Sequence, residues 1–231
     1  MPVGIDLDRR ALAIRTPDPC PPPTRFDRSP GETAFPGGKL DDGETEADAA
    51  YRETLEEIGV DLPAMIDAGR AELLTVLDPV LSKHTLSVTP FVVFLNDVRA
   101  LSELDIRMNG DEVSAVYSAP LQLFLGDNGY EHHDVEIEVG ERTYDVRVHA
   151  WMYAPPDALE GAEVEAEAGE DEQYRIWGLT AWIATVVAMM AYQQQTSFEL
   201  RRYGGLALGD FVPHDDRRDD RRGDDGLPAE D

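Results

Sequence analysis

Phe35-Pro36-Gly37-Gly38-Lys39, then Glu44, then Arg52-Glu53-Thr54-Leu55-Glu56-Glu57-Ile58-Gly59-Val60 is the stretch on which the reading of this chain turns. A glycine-rich loop feeds a segment in which Ala47, Ala50, Tyr51, Thr54, Leu55 and Ile58 recur at i, i+3, i+4 spacing. That period predicts an amphipathic helix over 44–58, with Gly59 as its C-terminal stop. Glu53 and Glu57 are four apart and so share one face, where like charges repel. Arg52 and Glu56 share the same spacing with opposite charge. Read alone, a Glu/Arg-rich helix face is an ordinary solvated surface. Placed after two glycines, the same face suits a hard divalent cation held against Glu53 and Glu57. Oxygen-only ligands select Mg²⁺ or Mn²⁺, which keep waters and bind phosphate oxygens. Gly37 and Gly38 leave the backbone open, so that a carbonyl of this loop can reach the metal.

The spacing resembles the Nudix box, Gly-x5-Glu-x7-Arg-Glu-U-x-Glu-Glu-x-Gly-U with U a bulky aliphatic residue. Gly38, Glu44, Arg52, Glu53, Glu56, Glu57 and Gly59 fill its fixed positions, Val60 fills the last U, and Thr54 departs at the first. The resemblance implies an α/β fold, an α/β/α sandwich with a mixed β-sheet. It also implies metal-dependent cleavage of a nucleoside diphosphate linked to another moiety. It makes Glu53 and Glu57 metal ligands, Glu56 a ligand or the group that activates water, and Arg52 the residue that orients the carboxylates. Gly38 joins the metal-binding set and Glu44 supports the site.

A narrower similarity is to the coenzyme A diphosphatase branch. It is carried by residues 35–39 and 52–59, by Leu81-Ser82-Lys83 with Val88-Thr89-Pro90-Phe91-Val92, and by Trp177-Gly178-Leu179-Thr180-Ala181. It implies coenzyme A or acyl-coenzyme A as substrate, with 3′,5′-ADP and 4′-phosphopantetheine as products. Arg28 and Lys39 are its candidate substrate-binding residues, with Arg15 and Arg25 as further phosphate partners, because arginine matches phosphate geometry. The branch's upstream signature is only partly present: Gly31 is in register, the arginine position falls on Asp27, and proline-rich sequence replaces the rest. A first strand is therefore missing, or residues 12–14 stand in for it. The alternatives are a hydrolase of ADP-ribose or NADH, and a catalytically weak binding protein of the same fold.

Composition narrows the partners. The 231 residues carry a net charge of −27, and all but two of the cationic side chains, Lys39 and Lys83, are arginine. A phosphate-backbone grip on nucleic acid and a basic hold on anionic lipid are both excluded by that balance. The partner that the resemblance implies is a small nucleoside diphosphate. A lone cysteine, Cys20, excludes an intrachain disulfide and a CxxC metal site. The most apolar run, 177–192, is shorter than the ~20 residues a bilayer span needs, and reads as a buried helix. With no targeting segment visible, the expected location is the cytoplasm, the alternative being the peroxisome without a visible signal.

The remaining chain divides as follows. Residues 1–27 read as an irregular proline-rich segment, 28–209 as the Nudix domain, and 210–231 as an acidic disordered tail. Residues 157–173 hold eight acidic residues and no basic one, and read as an acidic loop. Strands are expected over 73–77, 88–95 and 113–117, the second central because it is almost continuously apolar. A helix begins within 120–125, a hairpin turns at Gly140-Glu141, and a long helix lies within 174–195. Glu112 and Glu131 are candidates for an extra general base. His84 and His149 read as structural or solvated, and Trp177, Trp182 and Tyr192 as core.

Overall fold

The computed structural model describes residues 10–15, 33–82, 86–96, 103–139, 142–156, 158–160, 173–201 and 206–207. The strand β7 (Ala115–Pro120) organises the molecule. Side chains alternate across a strand, and here both faces are covered. Ala115, Tyr117 and Ala119 face a core built with Trp151, Ile176 and Ala181, Ala184 and Ala188 of the long helix α3 (Gly178–Tyr192). Val116 faces a second core with Ile58, Val60, Met65 and Val113. Those residues come from, or lie beside, α1 (Glu46–Ile58) and the short α2 (Leu62–Asp67). One strand thus separates helices on two sides, which is the expected α/β/α layering. Pairing along β7 and β1 (Arg10–Arg15) is antiparallel, in the order β10-β7-β1-β2 with β2 at Thr33–Ala34 and β10 at Leu159–Glu160.

β1 answers the question of the first strand: residues 12–14 do stand in for it, pairing Leu12 with Ser118 and Ile14 with Val116. The acidic segment is not loop throughout, because Leu159 and Glu160 pair with Val116 and Ala115. The strand expected to be central is not. β6 (Phe91–Leu95) pairs with β3 (Ala71–Val76), and Phe94 is 43% exposed. Its apolar run serves only one face, with Val93 and Leu95 packed on the second core. The expected hairpin is present as β8 (Tyr130–Val139) and β9 (Arg142–Tyr153), with Val139 opposite Arg142. The helix foreseen at 120–125 is a 3₁₀ turn, Leu121–Leu125. The late helix starts only at Gly178, because Tyr174 and Ile176 alternate as buried residues of the strand β11 (Tyr174–Trp177) beside β9. A two-residue strand β12 (Leu206–Ala207) adds the parallel pairing with β9 that makes this sheet mixed. Arg25, Arg28, Lys83, His84 and the tail lie outside the described residues.

Candidate active site

The site begins with the way α1 is capped. Thr45 accepts a bond from the Asp48 N–H at 3.2 Å, and Asp48 accepts one from the Thr45 N–H at 3.1 Å, closing a capping box. The Asp48 carboxyl also accepts from the Thr45 hydroxyl at 2.7 Å, and this bond first, the Thr45 N–H second, holds it below its usual range. At the other end Gly59 adopts φ 74°, and its N–H returns to the Leu55 carbonyl at 2.9 Å. The glutamates therefore stand on a helix fixed at both ends. Its buried side carries Ala49, Ile58 and Thr54, whose hydroxyl bonds the Ala50 carbonyl at 2.7 Å. Thr54 fills the aliphatic position without leaving a polar orphan. Leu55, expected on the buried stripe, is 46% exposed instead.

Arg52 is the hub. Its Nε donates to Glu44 Oε1 at 2.7 Å and its Nη2 to Glu44 Oε2 at 3.1 Å, the two-pronged geometry that a lysine cannot make. Nη1 donates to Glu53 at 2.9 Å and to Glu56 at 3.1 Å. Nη2 also reaches the Lys39 carbonyl at 2.9 Å, which ties the glycine loop to the helix. The Arg52 bonds and the Asp41 N–H hold the Glu44 carboxyl below its usual range. Glu44 in turn, more than Glu53 or Glu56, raises the affinity of the guanidinium for its proton.

The glycine loop closes on the carboxylates from the other side. Glu57 is 4% exposed and accepts the Gly37 N–H at 3.2 Å. Gly38 lies against Glu53 so closely that a Cβ there would overlap the carboxylate. Glu44, Glu53 and Glu56 thus gather on the Arg52 guanidinium, Glu57 is held separately by the glycine loop, and negative charge is left in excess. Among the described residues, no three histidine, cysteine or carboxylate side chains already converge as a closed metal cage. Mg²⁺ does not require one, since it is commonly held by one or two carboxylates with water and substrate phosphates completing its shell. The donors are all oxygen, the loop approaches as only glycine allows, and one carboxylate is buried. The residues present fit a hard cation.

The other sequence candidates separate. Lys39 enters this network through its carbonyl. Glu112 sits in a segment anchored to the end of α1, where Arg107 N–H reaches the Ile58 carbonyl at 2.8 Å and Asn109 N–H the Glu57 carbonyl at 3.0 Å. The Asn109 side chain donates to Glu112 at 3.3 Å. Glu131 lies on β8 opposite Ala150, an exposed position that no described contact links to α1. His149 is structural: it is 1% exposed, bonded to Tyr130 and Leu200. Trp182 is buried, and Tyr192 packs on the core around β7. Trp177 is half-buried beneath the Arg175 guanidinium. Sequence reasoning missed the anchoring of residues 107–109 and the Asp41 bond, which follow from loop paths that periodicity does not describe.

A family model described as the NUDIX domain matches residues 8–138. The chain is 34% identical over 169 residues to "Nudix hydrolase 15, mitochondrial" of Arabidopsis thaliana, covering 73% of this chain and 50% of that protein. It is 29% identical over 194 residues to the "Peroxisomal coenzyme A diphosphatase NUDT7" of Mus musculus, covering 84% and 69%. It is 32% identical over 187 residues to "Uncharacterized Nudix hydrolase NudL" of Escherichia coli, covering 80% and 74%. The chain spans about half the length of that Arabidopsis relative and of a second, "Nudix hydrolase 22, chloroplastic", to which it is 35% identical over 173 residues. No helix among the described residues is long and apolar enough to cross a membrane.

Proposed function

This chain belongs to the NUDIX family, and on that premise we propose that it is a metal-dependent pyrophosphohydrolase acting on coenzyme A or acyl-coenzyme A. The observation that carries the hydrolase reading is the closure of the glycine loop on the carboxylate helix, with Gly38 against Glu53 and the Gly37 N–H on Glu57. Glu53, Glu57 and the Gly38 carbonyl would hold the cation, with Glu56 beside them. Bound there, Mg²⁺ or Mn²⁺ supplies charge neutralisation of the diphosphate and a more acidic water. The protein's own part is positional. Arg52 bridges Glu53 and Glu56 through one Nη1, which offsets their mutual repulsion and fixes the two carboxylates side by side. Glu56, paired with Arg52 through one oxygen and with its side chain 54% exposed, is the carboxylate that would take the proton of the attacking water. Water oxygen then bonds to one phosphorus, the bond to the bridging oxygen breaks, and the two products are 3′,5′-ADP and 4′-phosphopantetheine or its acyl form.

Coenzyme A is favoured by residues 35–39, by 177–181, and by the likeness to the mouse diphosphatase along 84% of this chain. Arg28 and Lys39 are the proposed holds on its phosphates. The test is steady-state kinetics on coenzyme A, 3′-dephospho-coenzyme A, ADP-ribose and NADH, each with Mg²⁺ and with Mn²⁺, with products identified by mass. A site pairing arginine with the 3′-phosphate loses that partner in the dephospho form, so coenzyme A should lead in kcat/KM by at least ~10-fold. Equal rates on those two remove the phosphate clamp. Faster cleavage of ADP-ribose or NADH replaces the substrate assignment.

A further inference from the structure

One hydrogen bond between segments distant in sequence lies beside the catalytic face and has no part in the chemistry above. The Thr89 hydroxyl donates to Glu46 Oε1 at 2.9 Å across 43 residues. At 3.6 residues per turn, positions 46, 50, 53 and 57 share one face of α1. Glu46 therefore stands on the stripe of Glu53 and Glu57, about 10 Å nearer the helix N-terminus than Glu53 at ~1.5 Å of rise per residue. Ala50 lies between them, so that stretch of the stripe is a low floor. The opposite end is occupied by residues 107–109, bonded to the Glu57 and Ile58 carbonyls.

Thr89 is the root of a small hairpin. β4 (Val80–Leu81) pairs with β5 (Ser87–Val88). The Ser82 N–H bonds the Leu86 carbonyl at 2.8 Å, and the Leu86 N–H returns to the Ser82 hydroxyl at 3.2 Å. At its base the Leu77 N–H meets the Pro90 carbonyl at 2.9 Å, where the chain rejoins the β3–β6 ladder. The hairpin is thus closed on itself, hinged at the ladder and pinned to α1 through Thr89.

We infer that Thr89 is a positioning residue for substrate: its bond to Glu46 sets residues 87–90 at the N-terminal end of the carboxylate stripe, where they meet the organic group attached to the diphosphate. This rests on the diphosphatase reading. A diphosphate centred at Glu53 and Glu57 must send one substituent beyond the metal-holding turn. With the C-terminal end taken by residues 107–109, the direction left along the helix runs over Ala50 towards Glu46. Residues 87–90 held there contact the bound substituent and take no part in bond cleavage.

The test compares T89V, which keeps shape and loses the donor, with T89S, which keeps the hydroxyl, and with wild type. All three are assayed, alongside thermal unfolding, on whichever of coenzyme A, 3′-dephospho-coenzyme A, ADP-ribose and NADH the wild type cleaves best. T89V should raise KM at least ~3-fold while leaving kcat, the Mg²⁺ requirement and the unfolding midpoint near wild type, and T89S should restore KM. Unchanged KM in T89V, with wild type active, overturns the inference alone. So does a loss of kcat or folding shared by T89V and T89S. Wild type inactive on every diphosphate substrate overturns the diphosphatase reading, and this inference with it.

Discussion

Gly38 lies against the carboxylate of Glu53, with no room between them for a methyl group. The contact makes the glycine a spatial requirement of the site. Gly38→Ala should therefore displace Glu53 while leaving α1 capped and the two cores intact. A misplacement on the order of 1 Å at a catalytic centre costs roughly 100-fold in rate. Turnover of Gly38→Ala should fall by about that factor, with a far-ultraviolet circular dichroism spectrum like wild type. Retained turnover would mean that Glu53 does not need its observed place.

Arg52 holds Glu44 with two prongs and reaches Glu53, Glu56 and the Lys39 carbonyl besides. A lysine keeps the charge and loses the fork. Groups that orient metal ligands are typically worth 10–100-fold in metal affinity, so Arg52→Lys should raise the Mg²⁺ concentration for half-maximal activity by at least ~10-fold. Mg²⁺ titration of both proteins at saturating substrate decides it, and an unchanged midpoint would assign Arg52 to surface charge alone.

How much of this was readable in the sequence depended on distance along the chain. The helix, its Gly59 stop and the Glu53–Glu57 face follow from local periodicity, and they are present. The Arg52–Glu56 pair was visible for the same reason. The Arg52–Glu44 fork and the Lys39 carbonyl depend on how a loop folds back, which no period encodes. The short helix α2 had unused signals: Asp61 caps it by accepting the Ala64 N–H at 2.9 Å, and Pro63 sits in its first turn. β6 misled because an apolar run is the mark of a doubly buried strand, whereas the doubly buried strand, β7, mixes Ser118 and alanines with its larger residues. Those small side chains let helices approach both faces. The Thr89–Glu46 bond had no sequence signal at all.

Glu57 is the buried member of the carboxylate set and bonds the Gly37 N–H. Glu57→Gln preserves its shape and an acceptor oxygen for that bond, and removes the charge. It should fold like wild type and lose at least ~10-fold in Mg²⁺ affinity, by the same measure that applies to weakened metal sites. Isothermal titration with Mg²⁺ in the absence of substrate reads this without reference to turnover. Wild-type affinity in the variant would remove Glu57 from the proposed ligand set.

His149 supplies a prediction remote from the carboxylates. Its Nε2 faces the Leu200 carbonyl at 3.0 Å, which only accepts, so Nε2 carries the proton and Nδ1 accepts from the Tyr130 hydroxyl at 2.9 Å. The ring also stacks on Tyr130 and lies beside Phe198 and Trp182. Burial pushes its pKa down from 6.5 to about 4; Arg147 and His132 push the same way, against the Leu200 bond and Asp134. The unfolded chain therefore binds a proton at this residue between those values that the folded chain refuses. Its contribution to stability is complete above the unfolded pKa and is lost as pH falls through the window towards about 4. Between pH ~7 and ~5 the loss from this one residue is about 2 kcal/mol. His149→Gln offers hydrogen-bonding groups without titrating. It should be less stable than wild type at neutral pH, and its stability should vary less by about 2 kcal/mol over that interval, measured by urea unfolding at both pH values. Parallel pH dependence in the two proteins would show that the buried ring accepts its proton as readily as an exposed one.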